Sequence, residues 1–357
     1  MRMRSNSFDR LFVFLLIVVA CLLVIVPSCN RAPDLEMTQK FQEAQERFNR
    51  ATTEADFLEA AGLYPYRLKA LGHPRTDRAD ARLSRFNCRF CRACLQLGLD
   101  GSYAFLDGMV QTNGCDQLRG MFENWQYAVE TPFFHYLKAP HVLTPEAVDH
   151  FVLEIRRFRE AVEQHFDCEI TDDALRDAMA QQARLRDKLA QLHALRERPR
   201  PALSGSEALQ VSLAGSSLPA AVFEAHLDRL LETCQRREVG NGRARLLLGG
   251  AATDEPLLLE AVEDLGGLIV TDTFCFGTRS YLPQSEVDAD DHDPVVAMAR
   301  RYLFGSRCPR MYDSFDARYD FVQDAAQRAA VQGVILVNNK FCDLHGFDNA
   351  MLRRRLE

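Results

Sequence analysis

The residues best suited to chemistry in this chain are cysteines at the ends of apolar runs. Cys115, in Gly114-Cys115-Asp116, follows the buried-strand pattern of Phe105 to Gln111. Cys342, in Phe341-Cys342-Asp343, follows the run Gly333 to Asn338. Cys275 comes just after a third apolar run, Leu268 to Thr271. Soft thiolates favour iron–sulfur clusters or zinc over hard cations. A Gly-containing turn also leaves backbone amides free to hydrogen-bond sulfur. Position alone leaves two readings open, thiolate ligands or buried core thiols.

Cys88, Cys91 and Cys94 form a C-x2-C-x2-C run. The spacing resembles that of bacterial ferredoxins, without the fourth Cys and trailing Pro. Arg85, Arg89 and Arg92 would lower thiol pKa through charge. A basic helix with incidental cysteines is the alternative, and use of one of the three as a ligand is the better reading. Other constellations are weaker. Gly249-Gly250-Ala251 lacks the full dinucleotide fingerprint. No Ser–His–Asp set is evident. His135 and His141 have the wrong spacing for a zincin helix and read as loop histidines. The acidic run Asp288, Asp290, Asp291 and Asp293 reads as a solvated loop and less readily as a cation site.

The chain as a whole narrows the choice. It has 357 residues, enough for two domains and a sizeable core. Eleven cysteines, an odd number without small-domain spacing, argue against a disulfide framework. A net charge of −7 and short basic clusters argue against sequence-independent nucleic-acid binding. Zinc is disfavoured because the candidate ligands lie far apart and lack finger spacing.

Strand–turn–helix units must position these cysteines. The first predicts a strand at 105–111 and a helix over 117–125. A helix near 57–62 stops at Gly62 and turns into a short strand. Val148, Phe151, Val152, Ile155 and Phe158 repeat at helical spacing, and Thr171 caps a second long helix. Pro199 to Pro201 reads as a linker, followed by helix over 204–234. A second α/β unit places strands at 244–248, 268–271 and 333–338, with a tight turn at Gly249-Gly250. Ligands in open α/β sheets collect at such carboxyl ends of strands.

Residues 1–36 carry a different signal. Arg2, Arg4 and Arg10 precede the apolar run Leu11 to Val26. This reads as a signal or anchor-like segment, or as a spurious extension upstream of Met37. Thiolate chemistry points to the cytoplasm, with anchoring through residues 11–28 as the competing reading.

Taken in order, several segments resemble the 2-hydroxyacyl-CoA dehydratase and benzoyl-CoA reductase subunit family, whose 2-hydroxyglutaryl-CoA dehydratase D-component is one form. They include Phe57 to Pro65, Asn87-Cys88-Arg89 and Cys115-Asp116-Gln117-Leu118-Arg119. Tyr136 to His141, Asp272 to Arg279, Ala299 to Leu303, and Gly333 to Asp343 are also similar to the family. The resemblance runs from about Asp56 to the last residue. It implies an α/β fold with two flavodoxin- or Rossmann-like parallel-sheet domains, at 54–143 and 241–357, joined by a helical segment at 144–240. It implies a [4Fe–4S] cluster between them on Cys88, Cys115 and Cys342, with the fourth iron open. It further implies a related second subunit, an ATP-dependent activator protein and an acyl-CoA thioester substrate. The expected reaction eliminates water from a (R)-2-hydroxyacyl-CoA through a ketyl radical. A benzoyl-CoA reductase-like subunit and a non-catalytic iron–sulfur or structural partner are the alternatives. A closed fourth ligand from Cys91, Cys94 or Cys275 would favour electron transfer. Two departures from the family pattern stand out. Asp56 occupies the place of an expected Glu, and the second α/β domain is expected to be incomplete after Cys342.

Overall fold

A computed structural model describes residues 55–240, 243–282, 292–311 and 313–357. The apolar segment 11–28 and Asp288, Asp290 and Asp291 lie outside the described residues. No helix among the described residues is long and apolar enough to cross a membrane.

The chain is α/β. Its first unit contains α1 (Ala55–Ala60), α2 (Asp77–Asp80), α3 (Arg89–Leu99), β1 (Gly108–Thr112), α4 (Asp116–Ala128) and β2 (Phe133–Leu137). Strands β1 and β2 pair in parallel, from Gly108 opposite Phe133 to Thr112 opposite Leu137. Parallel neighbours need a crossover, and α4 supplies it.

Four helices follow: α5 (Pro145–Phe166), α6 (Asp172–Glu197), α7 (Gly205–Gly215) and α8 (Ala220–Cys234). Their starts are written in the sequence. The Thr144 and Thr171 hydroxyls accept from the Ala147 and Ala174 amides, and Ser204 with Glu207 forms a capping box. Asp167, in the left-handed region at φ 49°, ends α5. The apolar face of α5 packs Phe151, Ile155 and Phe158 against Val110 and Leu137 of the first sheet.

The second unit contains β3 (Ala244–Gly250), α9 (Pro256–Asp264), β4 (Gly267–Thr273), α10 (Pro294–Phe304), α11 (Phe315–Arg328), β5 (Gly333–Val337) and α12 (Asp343–Leu356). The sheet order is β4-β3-β5, all parallel. The chain leaves β3 to one side for β4 and returns to the other side for β5. The carboxyl end of β3 is therefore a topological switch point, where such sheets open a crevice.

Two local expectations change. The stretch 63–70 forms no strand. It runs between the two units instead, with Arg67 N bonded to Ser216 O at 3.0 Å. The Asp254 carboxylate accepts from the amides of Ala70 and Leu71, the latter at 2.9 Å. A tie to the opposite unit thus replaces a ladder as the destination of these backbone groups. Gly249 and Gly250 do not form a turn but are the last residues of β3. At φ 122°, a Cβ on Gly250 would lie 2.0 Å from Val337 O. Gly250→Ala should cost ~2–4 kcal/mol, combining a forbidden dihedral with a backbone clash. A denaturant midpoint unchanged from wild type would refute this.

Candidate metal centre

Cys88, Cys115 and Cys342 share one local device. Each is the N-cap residue of a helix: Cys88 of α3, Cys115 of α4 and Cys342 of α12. The Cys115 sulfur accepts from Leu118 N at 3.4 Å. The sulfurs of Cys88 and Cys342 face the amides of Cys91 and His345 at the same i+3 position, without closing a full cap bond. Helix starts present free amides and a partial positive charge, which suits an anionic sulfur.

The fold brings the three helix starts together. All three cysteines line a mainly apolar cavity of about 280 Å³ between the two units. Tyr66, Phe90, Leu106, Val110 and Phe276 supply much of the apolar wall. Cys91, Cys94, Cys275 and Cys308 also reach it, so seven of the nine cysteines among the described residues line one cavity. Cys168 and Cys234 are not among its lining residues.

Neighbouring groups differentiate these thiols. The Cys91 thiol hydrogen-bonds to the Cys88 sulfur and, against burial, lowers Cys88 to about 7, with help from the Cys91 and Phe90 amides and Arg92. Burial pushes Cys115 and Cys342 up to about 11. Cys91 is raised well above the usual thiol range by the same contact with Cys88 and by burial, and Cys94 by burial. Thiolate fraction outweighs the lower nucleophilicity of a more acidic thiol. Cys88, although the most buried of the three, should therefore be alkylated at pH 7 faster than Cys115 or Cys342 in iron-free protein. Peptide mapping after a short exposure to iodoacetamide tests the order. Equal labelling of the three would contradict it.

Other elements hold the cysteines in place. Cys88 N donates to Gln117 Oε1 at 3.0 Å, locking the start of α3 to α4. Asn113, before Cys115, accepts from Ala139 N at 2.7 Å, and its carbonyl contacts His141 Nε2 at 2.9 Å. His141 thus steadies the turn that carries Cys115, while His135 packs on Phe158. Arg67 lines the cavity, donates to Cys275 O at 2.9 Å and lies 3.9 Å from the Phe276 ring centroid. Burial lowers its pKa.

His345 is a further wall residue that sequence reasoning did not single out. Burial, followed by Arg279 and Arg318, lowers it to about 3, so it is neutral at physiological pH. Its Nδ1 is shielded from solvent and has no hydrogen-bond partner among the described residues. Cys308 was also missed. It sits in Arg307-Cys308-Pro309, between α10 and α11, where no strand end marks it.

Among the described residues, no three His, Cys, Asp or Glu side chains converge as a single-ion site would require. A four-iron cluster makes a different demand, because each thiolate binds a different iron and the sulfurs stand apart. Three helix-capping cysteines around a thiol-rich apolar cavity, with a buried arginine in the wall, fit such a group.

A family model described as "2-hydroxyglutaryl-CoA dehydratase, D-component" matches residues 53–357. The chain is 23% identical to a benzoyl-CoA reductase subunit of Thauera aromatica, over 84% of this chain and 79% of that protein. It is 22% identical to the (R)-phenyllactyl-CoA dehydratase beta subunit of Clostridium sporogenes, over 85% and 81%. It is 23% identical to the beta subunit of the (R)-2-hydroxyglutaryl-CoA dehydratase of Acidaminococcus fermentans, again over 85% and 81%. With its α/β architecture and matching profile, the chain belongs to the 2-hydroxyglutaryl-CoA dehydratase D-component family.

Proposed function

We propose that this chain is the iron–sulfur subunit of a 2-hydroxyacyl-CoA dehydratase-type lyase, eliminating water from a (R)-2-hydroxyacyl-CoA through a ketyl radical. The observation that carries this reading is the meeting of Cys88, Cys115 and Cys342 in one cavity from three separate helix starts. These three would hold a [4Fe–4S] cluster. Bound there, the group supplies low-potential one-electron chemistry and an open iron.

The remaining roles belong to the chain's own residues. The aromatic and aliphatic wall excludes water, which protects a reactive intermediate and strengthens local electrostatics. Arg67 offsets negative charge in the cavity. Neutral His345 can accept or donate a hydrogen bond at Nδ1, which has no partner among the described residues, without adding charge. The names of the relatives support assembly with a related second subunit. The proposal includes an ATP-dependent activator that delivers the electron, and a cytoplasmic site of action, where thiolates stay reduced.

The test is iron and acid-labile sulfide content on anaerobically purified protein, with its electron paramagnetic spectrum. About four irons per chain are expected, with a spectrum that changes when a 2-hydroxyacyl-CoA is added. Folded protein that takes up no iron on reconstitution would end this reading.

A second reading is favoured by the four additional cysteines in the same cavity. Any of them could close the fourth iron and make an electron relay. A substrate-insensitive spectrum, with iron lost in a Cys91, Cys94, Cys275 or Cys308 variant, would select the relay.

A further inference from the structure

A second cavity adjoins the first. It has a volume of about 440 Å³ and is lined by Arg186 of α6, Arg279, and Arg301 and Arg307 from α10 and the loop after it. Asp187 is the one acidic residue among its described lining residues. Cys275 and Cys308 line both cavities and form their shared wall. Two sequence segments without an assigned role, Asp272 to Arg279 and Ala299 to Leu303, meet here.

Arg186 Nη2 and Arg301 Nη1 are shielded from solvent and have no hydrogen-bond partner among the described residues. A buried cationic donor without an acceptor is costly. Arg279 is held in place differently, by Arg307 O at 3.1 Å and Gly250 O at 3.3 Å. That anchors its guanidinium at the carboxyl end of β3, the switch point of the sheet. Planar guanidinium forks match phosphate oxygens, and the volume lies in the small-molecule range.

We propose that this cavity binds phosphate oxyanions, with the Arg186 and Arg301 guanidinium groups as direct donors. The phosphates belong either to the coenzyme A part of the substrate or to a free diphosphate or nucleotide. The first source rests on the acyl-CoA reading above. A ligand seated by its phosphates in this cavity can extend past Cys275 and Cys308 and present its other end to the thiol cavity.

The experiment is calorimetric titration of the full chain with inorganic pyrophosphate, repeated on R186Q and R301Q and then in competition with coenzyme A. Wild type is expected to bind, and each glutamine variant to bind about 30-fold more weakly. Competition by coenzyme A would support the site with the substrate as source. Pyrophosphate binding without such competition would support it with a free phosphate compound as source. No binding by wild type, or binding unchanged in both variants, would overturn it. Should the glutamine variants fail to fold, R186K and R301K keep the charge but lose the fork. They are expected to show a smaller weakening, and its absence would also overturn the proposal. The readout does not need iron. Protein that binds pyrophosphate but no iron would sink the dehydratase reading alone, and iron-loaded protein that ignores pyrophosphate would sink the phosphate site alone.

Discussion

Cys115→Ala and Cys342→Ala should each lower iron from about four atoms per chain to below about one, while Cys168→Ala should leave it unchanged. The two thiols sit at separate helix starts on the wall of one cavity, and Cys168 does not line it. Removing either would leave one iron without its thiolate, and neither α4 nor α12 carries a second cysteine one turn along to take its place. Cys88→Ala should behave differently. The Cys91 thiol already touches the Cys88 sulfur from one turn further along α3, so it can take over as ligand. Partial iron retention is expected in Cys88→Ala and loss in the Cys88→Ala/Cys91→Ala double variant. Iron and sulfide analysis after identical anaerobic reconstitution reads all five proteins. Equal iron across the set would sink the ligand assignment.

Arg196→Met should destabilise the chain by ~3–5 kcal/mol, the cost of orphaning a buried charge. For a chain of this size that corresponds to a melting temperature lowered on the order of 10 °C. Arg196 Nη1 lies 2.6 Å from Asp272 Oδ2, with side chains only 1% and 6% exposed. Arg196 Nε also donates to Ile269 O at 3.0 Å, tying α6 to β4. The other Asp272 oxygen accepts from Phe274 N at 3.2 Å and Thr278 N at 3.0 Å. The pair therefore shapes the loop that carries Cys275 and Arg279 into the two cavities.

Burial raises the Asp272 carboxyl, but Arg196 and the Thr278 amide lower it further, and the net shift is downward. A carboxylate with a depressed folded value contributes stability that is full above its unfolded value near 4. That contribution is lost as pH falls through the lower folded value. Asp272→Asn should remove this acid-side dependence while also lowering stability at neutral pH. Denaturant midpoints across pH 3–7 test both parts. A midpoint within about 0.5 kcal/mol of wild type in Arg196→Met would show that the pair is dispensable.

Much of the fold is legible in the sequence because local rules suffice for it. Thr144, Thr171 and Ser204 are cap residues by chemistry, and each caps a helix. The apolar runs of β3, β4 and β5 announce themselves by composition, but only β4 is buried throughout, and β5, expected to be a buried strand, lies at the sheet edge with Ile335 38% exposed. The stretch 63–70 misleads because its pattern fits a strand, while its backbone partners, Ser216 and Asp254, lie far along the chain.

For the site, the sequence by itself determined the kind of chemistry available. It placed Cys115 and Cys342 after apolar strand runs, which is a local property, and the family resemblance joined Cys88 to them, whereas the shared helix N-cap position came from the structure. Only the tertiary structure decided which thiols share a cavity. Cys308 joined them from a loop without a motif, and Cys275 became a wall between two cavities. The same holds for the arginines. Arg186 and Arg301 look like ordinary charges on helix faces in sequence, yet packing of α6 against α10 brings both to the wall of one cavity. Periodicity and capping act over a few residues, whereas burial and missing partners arise only when distant elements close around a side chain.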